Sequence, residues 1–114
     1  MKRIYKGKTK LRVQIDTKCD LSGYEEVNVI AKKPDDTTKT FPAIVKDVEN
    51  GLIFFDIQEE TDFDLSGWWT LWPEVRFDDD RTACGRATRF FIYEPTEKVP
   101  QMNKFTNTTR IIRI

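Results

Sequence analysis

Histidine is absent from the chain, and serine is found only at positions 22 and 66. Without histidine, the sequence lacks the commonest general base near neutral pH and the commonest ligand of transition metals. Mechanisms of the Ser-His-Asp and Cys-His types are therefore excluded. Ser22 and Ser66 each precede a glycine, where a hydroxyl usually bonds to the nearby backbone. We therefore predict no catalytic residues and no cofactor.

Net charge and long apolar runs are also missing. Nineteen Lys and Arg residues balance nineteen Asp and Glu residues, so no electrostatic field attracts nucleic acid or an anionic membrane. The longest apolar runs, such as residues 52–55, are far shorter than the roughly 20 residues that cross a bilayer. The basic N-terminus is not followed by the apolar segment of a secretory signal. We expect neither nucleic-acid nor membrane partners.

The two cysteines, Cys19 and Cys84, are too few to form a disulfide framework. Reduced thiols in a protein made in the cytosol are the favoured interpretation, and a single Cys19–Cys84 disulfide is the alternative. Neither cysteine belongs to a Cys-x-x-Cys motif, so zinc is not expected.

Carboxylates are plentiful, and two groups of them deserve a test. Asp62 with Asp64, and residues 78–80, are the candidates for sharing a proton or binding calcium. Aspartate is also typical of turns, and the EF-hand spacing with its later glutamate is absent. Turn structure is the favoured interpretation. A hydrolase that uses Asp or Glu is a third functional class, and no core face of a predicted strand shows a buried carboxylate pair.

Hydrophobic residues alternate with a period of two, which is typical of β-strands. The predicted strand over residues 52–57 is apolar on both faces and is therefore central or covered on its second side. Pro42 lacks an amide hydrogen, which favours an edge position or a bulge. Thr61 or Asp62 is suited to cap one helical turn within residues 61–67. The predicted strands cover residues 11–16, 25–33, 38–46, 52–57, 67–77 and 82–94.

The spacing of these strands predicts an all-β, immunoglobulin-like antiparallel β-sandwich with a C-terminal extension. At 114 residues the chain has room for one core, which buries roughly 65% of the unfolded surface. Residues 1–94 form the predicted sandwich domain. Residues 95–114 form the extension, in which 95–109 is a linker. The last five residues are predicted to pair with their own sheet, to add to the edge of a neighbouring subunit, or to fray.

The segment Gly67–Phe77 carries tryptophans on the face where a solvated sheet normally carries Thr, Lys and Glu. Trp68 and Trp72 lie four residues apart and therefore roughly 13 Å apart on one face. A partner-protein interface, cover from the same chain and stacking of sugar rings are the three interpretations, of which the first is favoured. The candidate interface or ligand residues are Trp68, Trp72, Phe55, Phe91, Tyr93, Ile112 and Ile114.

Five motifs occur in an order that resembles small tail proteins of bacteriophages and prophages. They are Asp20-Leu-Ser-Gly, Lys32-Lys-Pro-Asp-Asp-Thr, Glu49-Asn-Gly-Leu-Ile, Asp62-Phe-Asp-Leu-Ser-Gly-Trp-Trp-Thr-Leu-Trp and Asp79-Asp-Arg-Thr-Ala-Cys-Gly. The chain is most similar to the N-terminal domain of the baseplate upper protein, over roughly residues 11–94. It departs from this pattern at Trp68, at Trp72, at Pro73 and after Pro95.

This resemblance implies an all-β sandwich that is part of a virion, made in the cytoplasm of a bacterial host, and that has no catalytic residues. It also implies binding to other tail or baseplate proteins, and we expect a homo-oligomer. A carbohydrate-binding module that recognises glycans of the host cell surface is the alternative function.

Overall fold

The computed structural model describes residues 3–79, 86–95 and 110–114, and these residues form strands and turns without a helix. The strands are β1 Ile4–Tyr5, β2 Leu11–Asp16, β3 Tyr24–Lys32, β4 Thr38–Pro42, β5 Ile44–Asp47, β6 Leu52–Ile57, β7 Gly67–Phe77, β8 Thr88–Tyr93 and β9 Arg110–Arg113. A five-stranded sheet has the order β1-β8-β7-β3-β4, and a four-stranded sheet has the order β5-β6-β2-β9. The predicted all-β sandwich is confirmed, and its immunoglobulin type stays a prediction. Its pairing is antiparallel except where β1 pairs with β8 and β2 pairs with β9, which are parallel.

The core lies between the two sheets and is organised around Trp69, whose side chain has no exposed surface. The indole Nε1–H of Trp69 donates a hydrogen bond of 2.9 Å to the carbonyl of Leu65, which satisfies its polar atom inside the core. Phe63 packs edge-on against the Trp69 ring at a centroid distance of 5.2 Å. The residues just before β7 are thereby fixed to the strand itself.

The prediction of one strand over residues 38–46 is wrong, because the chain changes sheet there. β4 ends at Pro42 on the edge of the five-stranded sheet, and β5 begins at Ile44 on the edge of the four-stranded sheet. Between them, the amide of Ala43 donates to the carbonyl of Val27 at 3.0 Å. An edge position is expected for Pro42 because proline cannot donate a hydrogen bond to a neighbouring strand. Its place on the edge strand β4 confirms that expectation. The expected central position of β6 is also confirmed, since it lies between β5 and β2.

The prediction of a helical turn within residues 61–67 is also wrong. A single turn is closed there by a 3.0 Å hydrogen bond from the Asp62 amide to the Glu59 carbonyl. The Asp62 carboxylate accepts hydrogen bonds from the amides of Gln58 and Glu59, both at 3.1 Å. Asp62 therefore does satisfy backbone amides, but those amides precede it, so its carboxylate stabilises the end of β6 rather than the start of a helix.

The C-terminal residues fold back on their own sheet, which is the first of the outcomes expected for them. β9 pairs in parallel with β2, and the Ile114 amide donates to the Gln14 carbonyl at 2.9 Å. The last strand is thus part of the sandwich. The predicted linker falls almost wholly on residues 96–109, which lie outside the described residues, as do residues 82–85 of the predicted final hairpin strand.

Candidate functional site

The two faces of β7 differ as the alternation predicts. Trp69 and Leu71 are buried in the core, whereas Trp68 points outward and is 52% exposed. Trp72 lies on the same outer face, half-buried, opposite Ile30 of β3. The second sheet packs on the other side of β7, and β9 joins that second sheet, so neither of them covers Trp68. Cover by the second sheet or by the terminal strand is therefore ruled out for this ring.

Trp68 is one end of a row of four aromatic side chains, which we name the aromatic row: Tyr5, Tyr93, Phe91 and Trp68. Strand pairing brings them together, because Trp68 lies opposite Phe91 and Tyr5 lies opposite Tyr93. The ring centroids of Trp68 and Phe91 are 5.2 Å apart, those of Phe91 and Tyr93 are 4.7 Å apart, and those of Tyr5 and Tyr93 are 6.1 Å apart. Three neighbouring strands thus expose one continuous aromatic surface.

Two arginines lie over this row. The Arg89 guanidinium is 4.5 Å from the centroid of the Trp68 ring, and the Arg3 guanidinium is 4.8 Å from that of Tyr93. A guanidinium at this distance is attracted to the negative face of an aromatic ring. The aromatic row therefore combines apolar surface with fixed positive charge, a composition that is typical of protein interfaces.

The prediction of Phe55 as an interface residue is wrong, because the structure places it in the core, whereas Ile112 and Ile114 are half-buried against the core. Phe55 is only 2% exposed and stacks on Phe41 at a centroid distance of 4.7 Å. Ile112 and Ile114 pack against the core, since the register of β9 sets Ile112 opposite the buried Val13. The alternation of β9 instead turns its other isoleucine, at position 111, outward.

Three residues of this surface, Tyr5, Arg3 and Arg89, are not among those predicted from the sequence. Tyr5 belongs to a strand of two residues, which is too short to show any alternation. Arg89 alternates with Phe91 and Tyr93 along β8, so the period of two that identified those aromatics also predicts the facing of Arg89. What no sequence pattern gives is the strand pairing that sets Arg89 beside Trp68.

Asp62 and Asp64, the first group of carboxylates singled out from the sequence, are each paired with a lysine. Lys39 Nζ lies 3.3 Å from Asp62, and Lys33 Nζ lies 3.1 Å from both carboxylate oxygens of Asp64. Burial pushes the pKa of Asp62 up, but hydrogen bonds from the Glu59 and Gln58 amides and the nearby Lys39 ammonium outweigh it and hold that pKa below its ordinary value. Asp62 is therefore ionised at neutral pH, and its role here is structural.

Within residues 3–79, 86–95 and 110–114, no three His, Cys, Asp or Glu side chains cluster as metal ligands would. The calcium alternative at residues 78–80 and the Cys19–Cys84 pairing both depend on residues outside the described part of the chain. Among the described residues, no helix has the length and hydrophobicity to cross a membrane.

No protein-family model, no curated protein and no solved structure matches the chain.

Proposed function

We propose that the chain is a non-enzymatic structural protein of a phage or prophage tail or baseplate, which binds other virion proteins through the aromatic row and through its sheet edges. The observation that carries this proposal is the position of Trp68, an indole ring 52% exposed on the outer face of a sheet. The sequence motifs described above supply the phage context, and the aromatic row supplies the means of attachment.

The free energy of hydrophobic burial favours a partner that covers Trp68. Burying a tryptophan side chain removes about 200 Å² from water, so burying the exposed half removes roughly 100 Å² and contributes about 2.5 kcal/mol before the costs of association are subtracted. Phe91 and Tyr93 are half-buried beside it and extend the same surface. Tryptophan, tyrosine and arginine are the residues most enriched at the centres of protein interfaces. A partner protein with an apolar patch is the matching occupant.

The sheet edges add a second mode of contact. β1 and β4 flank the five-stranded sheet, and β5 and β9 flank the four-stranded sheet. An edge strand offers backbone N–H and C=O groups to an extended segment of another protein. A protein with several exposed sheet edges fits a tail assembly, in which each subunit makes many contacts.

The proposal is tested in particles of the phage or prophage that encodes the chain. We expect mass spectrometry of purified particles to detect the chain in several copies per particle, and gold-labelled antibody to mark the tail or its end. Particles that assemble, carry a tail and lack the chain overturn the proposal.

The second candidate function, glycan binding, is favoured by the same exposed indole, because sugar rings stack on tryptophan. Two features count against it: Arg89 lies over the Trp68 ring, and neighbouring rings of the aromatic row meet at 76° and 69° instead of lying parallel as a flat platform. Tryptophan fluorescence separates the two functions. Under the glycan function the emission shifts on titration with cell-wall sugars, and under the proposed function it shifts with protein partners or protein concentration.

A further inference from the structure

Charge is distributed unevenly along the outer face of the five-stranded sheet. At the start of β7, Thr70 lies opposite both Lys32 and Arg89. Lys32 pairs with the Asp36 carboxylate at 3.5 Å in the adjoining turn, and Arg89 lies over the Trp68 ring. Among the described residues, this end of the face, which we name the cationic end, therefore carries an excess of positive charge next to the exposed aromatic row.

The other end of the same face is acidic. Arg76 binds Glu25 at 2.7 Å and Glu26 at 3.1 Å, so one guanidinium lies between two carboxylates. Glu74 adds a third carboxylate two residues away on the exposed face of β7. Hydrogen bonds from Asn28 and Arg76 hold the pKa of Glu26 below its ordinary value, so it is ionised at neutral pH. We name this the acidic end.

The two ends are far enough apart to act separately. Arg76 lies six positions after Thr70 on β7, which corresponds to about 20 Å along a strand. Screening reduces the interaction of exposed charges beyond about 8 Å at physiological salt, so neither end neutralises the other within one molecule. Half-buried Trp72 and Ile30, opposite each other in the register, lie between them and give the face an apolar centre.

From this arrangement we infer that the occupant of the face is a second copy of the same chain, in a twofold dimer whose axis runs across the strands close to Trp72. The inference rests on the proposed function, because it uses the same aromatic surface. If the twofold axis ran along the strands, the cationic ends of the two copies would face each other, and so would the acidic ends. Like charges would then meet at both places. An axis across the strands sets the cationic end of each copy on the acidic end of the other, and the two Trp72 side chains meet near the axis.

The test is analytical ultracentrifugation of the full chain, whose monomer mass is 13.4 kDa. We expect a reversible dimer that weakens as salt is raised from about 0.1 M to about 1 M, because the contact depends on exposed charges. Charge reversal then probes the arrangement. Arg89→Glu alone and Glu74→Arg alone each create like-charge contacts at two places and weaken the dimer by about tenfold or more.

The double variant Arg89→Glu, Glu74→Arg exchanges the two signs within each chain, and we expect its dimer to recover to within a few-fold of the wild type. Arg113→Glu is the matched control, because it reverses an exposed arginine on β9 in the other sheet and leaves the dimer unchanged. A wild-type chain that stays monomeric up to about 1 mM overturns the inference. A double variant weaker than either single variant overturns the arrangement of the ends, and with it the inference.

Failure of this inference is distinguishable from failure of the proposed function. A monomeric chain that is nevertheless detected in purified particles refutes the dimer and leaves the virion role intact. A chain that forms the dimer but is absent from purified particles supports the dimer and refutes the virion role. A shift of tryptophan emission with cell-wall sugars but not with protein concentration assigns the surface to glycans and refutes the dimer.

Discussion

The guanidinium of Arg89 lies 4.5 Å from the centroid of the Trp68 ring, so a cation covers part of the most exposed indole of the sheet. The two residues come from adjacent strands, and the register between β7 and β8 brings them together. An exposed tryptophan held by a neighbouring arginine has a fixed orientation before any partner arrives. Less conformational freedom is then lost on binding, which favours affinity.

Truncation of the outward tryptophans is expected to separate association from folding. Trp68→Ala removes a half-exposed ring and its edge contact with Phe91, which costs about 1 kcal/mol of folding stability. Trp72→Ala leaves the fold intact and weakens association, because Trp72 lies near the centre of the proposed contact. Trp69→Ala is the matched control on the same strand and costs about 3 to 5 kcal/mol, since that ring is fully buried. Thermal unfolding and ultracentrifugation measure the two effects. Unchanged association in both outward variants contradicts the interface.

Acid is expected to destabilise the fold in part through Asp62. Its folded pKa lies below the ordinary value, so its contribution to stability is present above the unfolded pKa of about 3.9 and is lost as pH falls through the folded pKa. Asp62→Asn should therefore flatten the decline in the free energy of unfolding below about pH 4. Lys39→Met should flatten it less, because the Gln58 and Glu59 amides still bind the carboxylate. Urea unfolding at a series of pH values measures all three curves, and parallel curves for wild type and Asp62→Asn exclude this role.

Gly51→Ala is expected to destabilise the turn between β5 and β6. Gly51 has a φ of 72°, and an added Cβ would overlap the Cys19 carbonyl and the Thr17 hydroxyl. Backbone strain and this overlap together cost about 2 to 4 kcal/mol. Gly7→Ala is the control, because Gly7 has a φ of 81° with nothing within 4 Å of the added Cβ, so backbone strain acts alone. Equal losses in chemical unfolding would show that the close approach at Gly51 is unimportant.

The register of β9 predicts that substitutions at two neighbouring isoleucines change the free energy of unfolding by different amounts. Ile112→Lys places a charge against the core opposite Val13 and is expected to cost about 1 to 2 kcal/mol. Ile111→Lys changes a side chain that is 45% exposed on the outer face and should stay within about 0.5 kcal/mol of wild type. Chemical denaturation compares them. A larger loss from Ile111→Lys would mean that the strand is shifted by one residue.

Much of the fold follows from the sequence because alternation is a local signal. β6 and β7 have the predicted bounds, and the facing of Trp68, Phe91 and Tyr93 follows from a period of two. The expected immunoglobulin type and the virion role are not decided by such local signals. They depend on long-range connectivity and on partners.

The errors come from long-range pairing. No feature of residues 38–46 indicates to which of the two sheets a residue belongs. The sequence therefore does not predict the change of sheet after Pro42. The sequence predicts Phe55 as a surface candidate because its strand is apolar on both faces, and only the packing on Phe41 shows which face is inside. The direction in which Ile112 and Ile114 face depends likewise on which residue of β2 lies opposite each of them.

The parallel pairing of β9 with β2 has a consequence for synthesis on the ribosome. The edge of β2 that β9 occupies is made almost a hundred residues before β9 itself, so it remains open while the rest of the chain is translated. An unpaired edge is a template for any extended segment nearby. Nascent copies on one messenger RNA therefore compete with the chain's own late strand for that edge, and slow translation of the codons for β9 would favour entangled products over well-formed subunits.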